Sequence, residues 1–152
     1  MKKAISLRIN GIEHSAEVEP RTTLLELVRE QFNLTGAKLG CDIQVCGACT
    51  LLVNGKPMSA CSVLAVDADG REILTIEGLA EKGFHPLQEA FMEFGALQCG
   101  YCTSGFILTA KALLDECPRP SEQQIKDYLA GNFCRCGCYQ EIVQAVQRVA
   151  RA

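Results

Sequence analysis

The sequence predicts an α+β protein, with short strands folded round one helix in the N-terminal half and four short helices after it. Three observations predict this. Asn-Gly pairs at 10–11 and 54–55, each flanked by short runs of strand-forming residues, are strong hairpin signals. From Pro86 onward the apolar residues recur at i, i+3, i+4, i+7, the period of a helix with one buried face. Ten cysteines stand at 41, 46, 49 and 61, then at 99, 102, 117, 134, 136 and 138, in and between these segments.

Taken in order, residues 4–9 and 12–18 read as two strands turning at Asn10-Gly11. Thr23-Leu24-Leu25-Glu26 has capping-box spacing and opens a helix to about Gln31, with Leu24, Leu25, Leu27 and Val28 as its core face. Thr50–Val53 and Lys56–Ser59 form a second hairpin, Cys61 lies just beyond it, and residues 72–76 offer one more strand. Pro86 stands where a helix can begin, and Leu87, Ala90, Phe91 and Phe94 follow on one face. A second helix takes Phe106, Ile107, Ala110, Leu113 and Leu114 and stops before Pro118. Ser121-x-x-Gln124 is another capping box, leading to Ile125, Tyr128 and Leu129, with Gly131 as the stop. The fourth helix runs from Tyr139 with Ile142, Ala145, Val146 and Val149 inward. These elements divide into units over 1–77 and 78–152, joined within 77–85, the second being a small four-helix bundle.

Composition narrows the function. Of the 152 residues, 48% are hydrophobic and 22% charged, enough apolar material for a packed core and too much for disorder. The net charge of −3 is spread as −2 over 1–77 and −1 over 78–152, so neither half offers a basic face to nucleic acid. No apolar run approaches the roughly 18–20 residues that span a bilayer, which argues against direct membrane insertion. Met1-Lys2-Lys3 is followed by alternating residues and Gly11 rather than a secretory h-region, so a cytoplasmic location is expected; export with a signal-bearing partner stays open.

The cysteines carry the chemistry. Disulfide frameworks belong to small secreted domains short of core, which this chain is not. Cysteines one or two residues apart aim their sulfurs at one metal centre. Cys41, Cys46, Cys49 and Cys61 read C-x4-C-x2-C…C, the spacing of plant-type 2Fe–2S ferredoxins. The segment from Gly40 to Cys49 is rich in small residues, which lets backbone N–H groups turn toward an anionic cluster. A Cys-rich loop after one helix, among strands, suggests the β-grasp arrangement of a ferredoxin domain. In the second half, Cys99 and Cys102 precede one helix, and Cys134 and Cys136 precede another. Free N–H groups and the macrodipole at helix N-termini favour anionic thiolates. Four such thiolates suit a second 2Fe–2S cluster or a tetrahedral zinc site, and spacing alone leaves both open.

The motifs Cys41 to Cys61, Gln98-Cys99-Gly100-Tyr101-Cys102 and Gly131-Asn132-Phe133-Cys134-Arg135-Cys136 resemble the iron–sulfur subunit of the molybdenum hydroxylases, the xanthine oxidase family, over nearly the entire chain. The resemblance implies an electron-transfer subunit with two 2Fe–2S clusters and no substrate-converting site of its own. Cys41, Cys46, Cys49 and Cys61 would hold an outer cluster, and Cys99, Cys102, Cys134 and Cys136 an inner one. Gln98 would contact the pterin; taken alone, it reads as a polar residue in a helix–loop joint. The implied partners are a large subunit with a molybdenum–pterin cofactor and, often, an FAD subunit. The chain departs from the usual pattern at Gly137-Cys138, where Thr-Gly is common, at Ser104, where Pro often stands, and at Cys117, which has no motif role. Two other readings explain less. A free-standing ferredoxin leaves the second cysteine group unused, and a zinc-stabilised interaction module leaves the first unexplained.

Overall fold

The computed structural model describes residues 1–80 and 83–151. Strand β1 (Lys3–Ile9) turns through Asn10 and Gly11, at φ 51° and 82°, into β2 (Ile12–Val18). Both turn residues are left-handed, as a two-residue hairpin with matching twist requires. A second such turn, at Asn54-Gly55, joins β3 (Thr50–Val53) to β4 (Lys56–Ser59). With β5 (Glu72–Leu74) the strands form one mixed sheet in the order β2-β1-β5-β3-β4; β1 and β5 run parallel and the other pairs antiparallel.

Two elements differ from the expectation. The helix opened by Thr23 is α-helical only over α1 (Leu24–Glu26) and continues as a π-wound turn over Leu27–Gln31. Its capping box is present, since Thr23 Oγ1 accepts the Glu26 N–H at 3.2 Å and the Thr23 N–H donates to Glu26 Oε2 at 2.7 Å. Beyond it the Phe32 N–H reaches back five residues to the Leu27 carbonyl at 3.3 Å, and the widened turn keeps Leu24, Leu25, Leu27 and Val28 all buried. The strand expected over 72–76 ends at Leu74, because the Thr75 N–H donates to the Asn10 side-chain oxygen at 2.9 Å instead of to a strand.

Four helices follow: α2 (Pro86–Glu93), α3 (Thr103–Glu116), α4 (Glu122–Tyr128, closing in a 3-10 turn at Leu129–Gly131) and α5 (Tyr139–Ala150). The Ser121–Gln124 capping box is present, and α2 carries another in which His85 is the cap. The expected join at 77–85 begins with a 3-10 turn over Glu77–Ala80; residues 81 and 82 of it, like residue 152, lie outside the described residues.

Buried side chains gather in two cores. One lies under the sheet, with Leu7, Ile9, Leu24, Leu51 and Ile73; the other lies among the helices, with Leu87, Phe91, Phe106, Ile125 and Val146. Each such side chain contributes about 1.5–3 kcal/mol by leaving water. Helix α3 serves both, sending Leu108 and Ala112 to the first core and Phe106, Ile107, Ala110 and Leu113 to the second. Its two ends therefore fix where the loops on either side of it stand.

Candidate metal centres

The first four cysteines come together at the edge of the first core. Cys49 precedes β3 and Cys61 follows β4; both are buried, and their thiols face each other. Cys41 and Cys46 lie on the loop before β3, half-buried, with their thiols adjacent. Asp42 and Gln44 adopt φ 59° and 60°, left-handed conformations that cost non-glycine residues energy. This winding turns the backbone inward, so the N–H groups of Val45 and Cys46 each donate to Cys41 Sγ at 3.3 Å. Donation from Ile43, Cys46 and Val45 pulls the Cys41 thiol down to about 6. Cys49, with no comparable set of donors, is pushed up to about 12, chiefly by burial.

Gly40 makes room for this loop. A Cβ there would sit 2.7 Å from Cys46 Sγ, closer than real side chains approach, so only glycine fits without displacing a thiol. The loop entrance is tied by Arg29, whose Nη1 donates to the Thr35 and Ala37 carbonyls at 2.8 and 2.6 Å.

The second four come together between helices. Cys102 stands immediately before α3, Cys99 lies exposed just before it, and Cys134 and Cys136 lie on the turn that enters α5. Their thiols pair across the two loops, Cys99 with Cys136 and Cys102 with Cys134. Burial raises Cys134, but N–H donation from Cys138, Gly137 and Cys136, with the Cys102 thiol, outweighs it and the net shift is downward. Cys99 is lowered by the Tyr101 N–H, while Cys102 is pushed up to about 12 by burial and by the Cys134 thiol. Gln98 is exposed, and its Nε2 reaches the Cys136 carbonyl at 3.5 Å. Cys138 is buried in the second core beside Cys134, and Cys117 packs half-buried at its edge. Ser104 donates its hydroxyl to the Gly36 carbonyl at 2.8 Å, which gives that departure a structural use.

These residues fit iron–sulfur clusters. Both quartets consist wholly of thiols, each meets backbone N–H donors suited to anionic sulfur, and Gly40 leaves the first one clear. The two thiol pairs of each quartet match a cluster whose two irons each take two ligands. Residues whose roles the motifs did not disclose stand beside them. Tyr139 Oη accepts the Cys134 N–H at 2.8 Å, Tyr101 Oη donates to the Leu39 carbonyl at 2.7 Å, and Asn132 is buried between the two loops. Aromatic residues flanking the cysteines were the available signal for the first two.

Comparison with known proteins agrees with this geometry. Residues 7–88 match the family described as 2Fe-2S iron-sulfur cluster binding domain, and residues 75–147 match the 2Fe-2S binding domain. The nicotinate dehydrogenase small FeS subunit of Eubacterium barkeri is 50% identical over 96% of this chain and 94% of its own. The nicotine 6-hydroxylase small subunit of Paenarthrobacter nicotinovorans is 46% identical over 93% of this chain and 86% of its own. The crystal structure of quinoline 2-oxidoreductase from Pseudomonas putida 86 superposes with a TM-score of 0.94 at 43% identity, covering 98% of this chain and 93% of that one. Two quartets of thiols on an α+β frame, matched along almost their whole length, place this chain in the family of small iron–sulfur subunits of the molybdenum hydroxylases.

Proposed function

We propose that the chain relays electrons in a molybdenum-containing hydroxylase or dehydrogenase, between a molybdenum–pterin centre on a large partner subunit and FAD or another acceptor. A β-grasp ferredoxin unit over 1–77 holds the outer cluster through Cys41, Cys46, Cys49 and Cys61. A four-helix unit over 78–152 holds the inner one through Cys99, Cys102, Cys134 and Cys136. Each cluster, when bound, supplies a centre that accepts and gives up one electron. The observation that carries the reading is the pairing of all eight thiols in two places, with backbone N–H groups aimed at Cys41 and Cys134. Such donors hold negative charge on sulfur without adding a side chain that reacts.

Substrate conversion belongs to the large subunit, and Gln98 faces the pterin there. In support, Gln98 and Cys99 are exposed at the rim of the inner quartet, as residues that meet a cofactor on another chain must be. Both loops are ringed by exposed apolar side chains: Leu39, Ile43 and Val45 around the first, Leu97, Tyr101 and Phe133 around the second. Exposed apolar groups bordering the thiols suit docked partner subunits. No helix among the described residues is long and apolar enough to cross a membrane. Cluster insertion needs reduced thiols, which supports assembly in the cytoplasm.

Metal analysis tests the reading. The purified complex should hold about four iron and four sulfide per copy of this chain, with two distinct EPR signals on reduction. One cluster's worth of iron, or zinc in place of iron, overturns it.

A further inference from the structure

The two cysteine loops meet at a buried amide. Asn132 stands two residues before Cys134, is 6% exposed, and donates its Nδ2 to the carbonyl oxygen of Gly47 at 3.1 Å. Gly47 directly follows Cys46. Thr50 Oγ1 donates to the same Gly47 oxygen at 2.7 Å and lies 3.5 Å from the Asn132 amide. One residue further on, the Phe133 N–H donates to the carbonyl of Cys46 itself at 2.9 Å. Gly105, in the first turn of α3 after Cys102, closes the junction. A Cβ on Gly105 would lie 2.2 Å from the Gly47 oxygen and 3.1 Å from Asn132 Nδ2.

Neighbours of Cys46, Cys102 and Cys134 therefore share one contact, with Gly105 and Gly47 too close for any added side chain. A buried amide is costly unless its hydrogen bonds are made, and a satisfied polar network of this kind admits one arrangement of the chains around it. An apolar side chain of the same size would leave the Gly47 carbonyl with Thr50 alone and let the loops slide. The hydrogen bond from Phe133 to Cys46 lies one residue from this contact on both segments and so shares its register.

We propose that Asn132 is a positioning residue for electron transfer between the two clusters, holding the outer loop against the inner one through Gly47. The proposal rests on the functional reading above. Its consequence is a backbone connection between Cys46 and Cys134 interrupted by a single hydrogen bond. The transfer it serves moves one electron from the inner centre, which is oxidised, to the outer centre, which is reduced. No bond forms or breaks and no proton moves. Electronic coupling falls steeply with separation, so the register of this one contact sets the rate.

Two variants of the holo-complex test it. Asn132→Asp keeps the shape but replaces the donor with an oxygen that repels the Gly47 carbonyl. Thr50→Val removes the hydroxyl donor to Gly47 from the outer side and leaves the Thr50 N–H bond to the same oxygen at 3.1 Å. Low-temperature EPR of the reduced complex reads the magnetic splitting between the centres, potentiometry reads each midpoint, and flash reduction reads the transfer itself. Both variants should keep both signals and both midpoints, with an altered splitting. The transfer rate should fall below that of the wild-type complex in both variants. Unchanged splitting and rate in both variants overturns the proposal, as does loss of a whole cluster from both, which would make the contact a folding element. Should Asn132→Asp alone lose a cluster, Thr50→Val decides on the same readouts. A wild-type complex with fewer than two clusters fails the functional reading instead.

Discussion

Ile107 and Leu108 are consecutive residues of α3 buried in different cores, Ile107 among the helices and Leu108 beneath the sheet. A helix turns about 100° per residue, so one helix between two cores must do this. The cluster-binding halves are thus welded along α3 rather than strung on a linker. Leu108→Ala should cost about 2–5 kcal/mol, the range for a buried leucine that leaves a cavity. Thermal unfolding followed by circular dichroism and by cluster absorbance should then shift together. Separate transitions would show two independent cores.

Substitution at the cysteines should separate the clusters. Cys46→Ser should abolish or distort one EPR signal and spare the other, and Cys102→Ser should do the reverse. Cys117→Ser and Cys138→Ser should leave both. Two intact signals after the Cys46 or Cys102 change would refute the ligand assignment.

Gly40→Ala asks the same question through sterics. The added Cβ is placed 2.7 Å from Cys46 Sγ, so the outer centre should be lost while the inner remains. Iron content should drop by about half, since each centre holds two irons. Full iron occupancy would show that the loop yields.

His85 gives a pH dependence away from either cluster. Its Nδ1 accepts the Leu87 N–H at 3.2 Å, and Gln88 Oε1 accepts the His85 N–H at 2.9 Å. Burial, and then the charge of Lys111, hold its pKa below the ordinary 6.5, against the pull of Asp115. As pH falls the unfolded chain takes up the proton first, so the cap's contribution is complete above about 6.5 and is lost as pH passes below the folded pKa. The melting temperature of wild type should fall more steeply through that window than that of His85→Asn, which caps without titrating. Parallel slopes would show that the cap does not titrate there.

Ser121→Ala removes the cap of α4, which accepts the Gln124 N–H at 3.3 Å. A loss of about 1 kcal/mol is expected, measured by denaturant melts.

Local chemistry was legible in the sequence. The left-handed turns at Asn10-Gly11 and Asn54-Gly55, the boxes at Thr23 and Ser121, and the clustering of cysteines each depend on residues within a few positions of one another. What escaped depends on distant partners. Asn10, in the turn after the neighbouring strand β1, ends β5 by taking the Thr75 N–H. The π turn after Glu26 answers to the core it fills, and the His85 cap uses a residue outside the usual capping set, with Gln88 as the signal. Asn132 stood in a recognised motif, but its use is fixed by a carbonyl 85 positions earlier.

The parallel pairing of β1 with β5, Arg8 to Glu72 and Ile9 to Ile73, has a kinetic consequence. The first strand, paired at once with β2, waits for its second partner more than sixty residues later, and the loop between them contains Cys41, Cys46, Cys49 and Cys61. Closing so large a loop costs entropy before any contact compensates it, which slows folding. On a ribosome the sheet stays open until β5 has emerged, and the core beneath it, begun by Leu24, Leu25, Leu27 and Val28, is completed only when Leu108 and Ala112 follow. The earliest cysteines in the chain therefore wait for β5 before they are enclosed, and they must stay reduced throughout that interval.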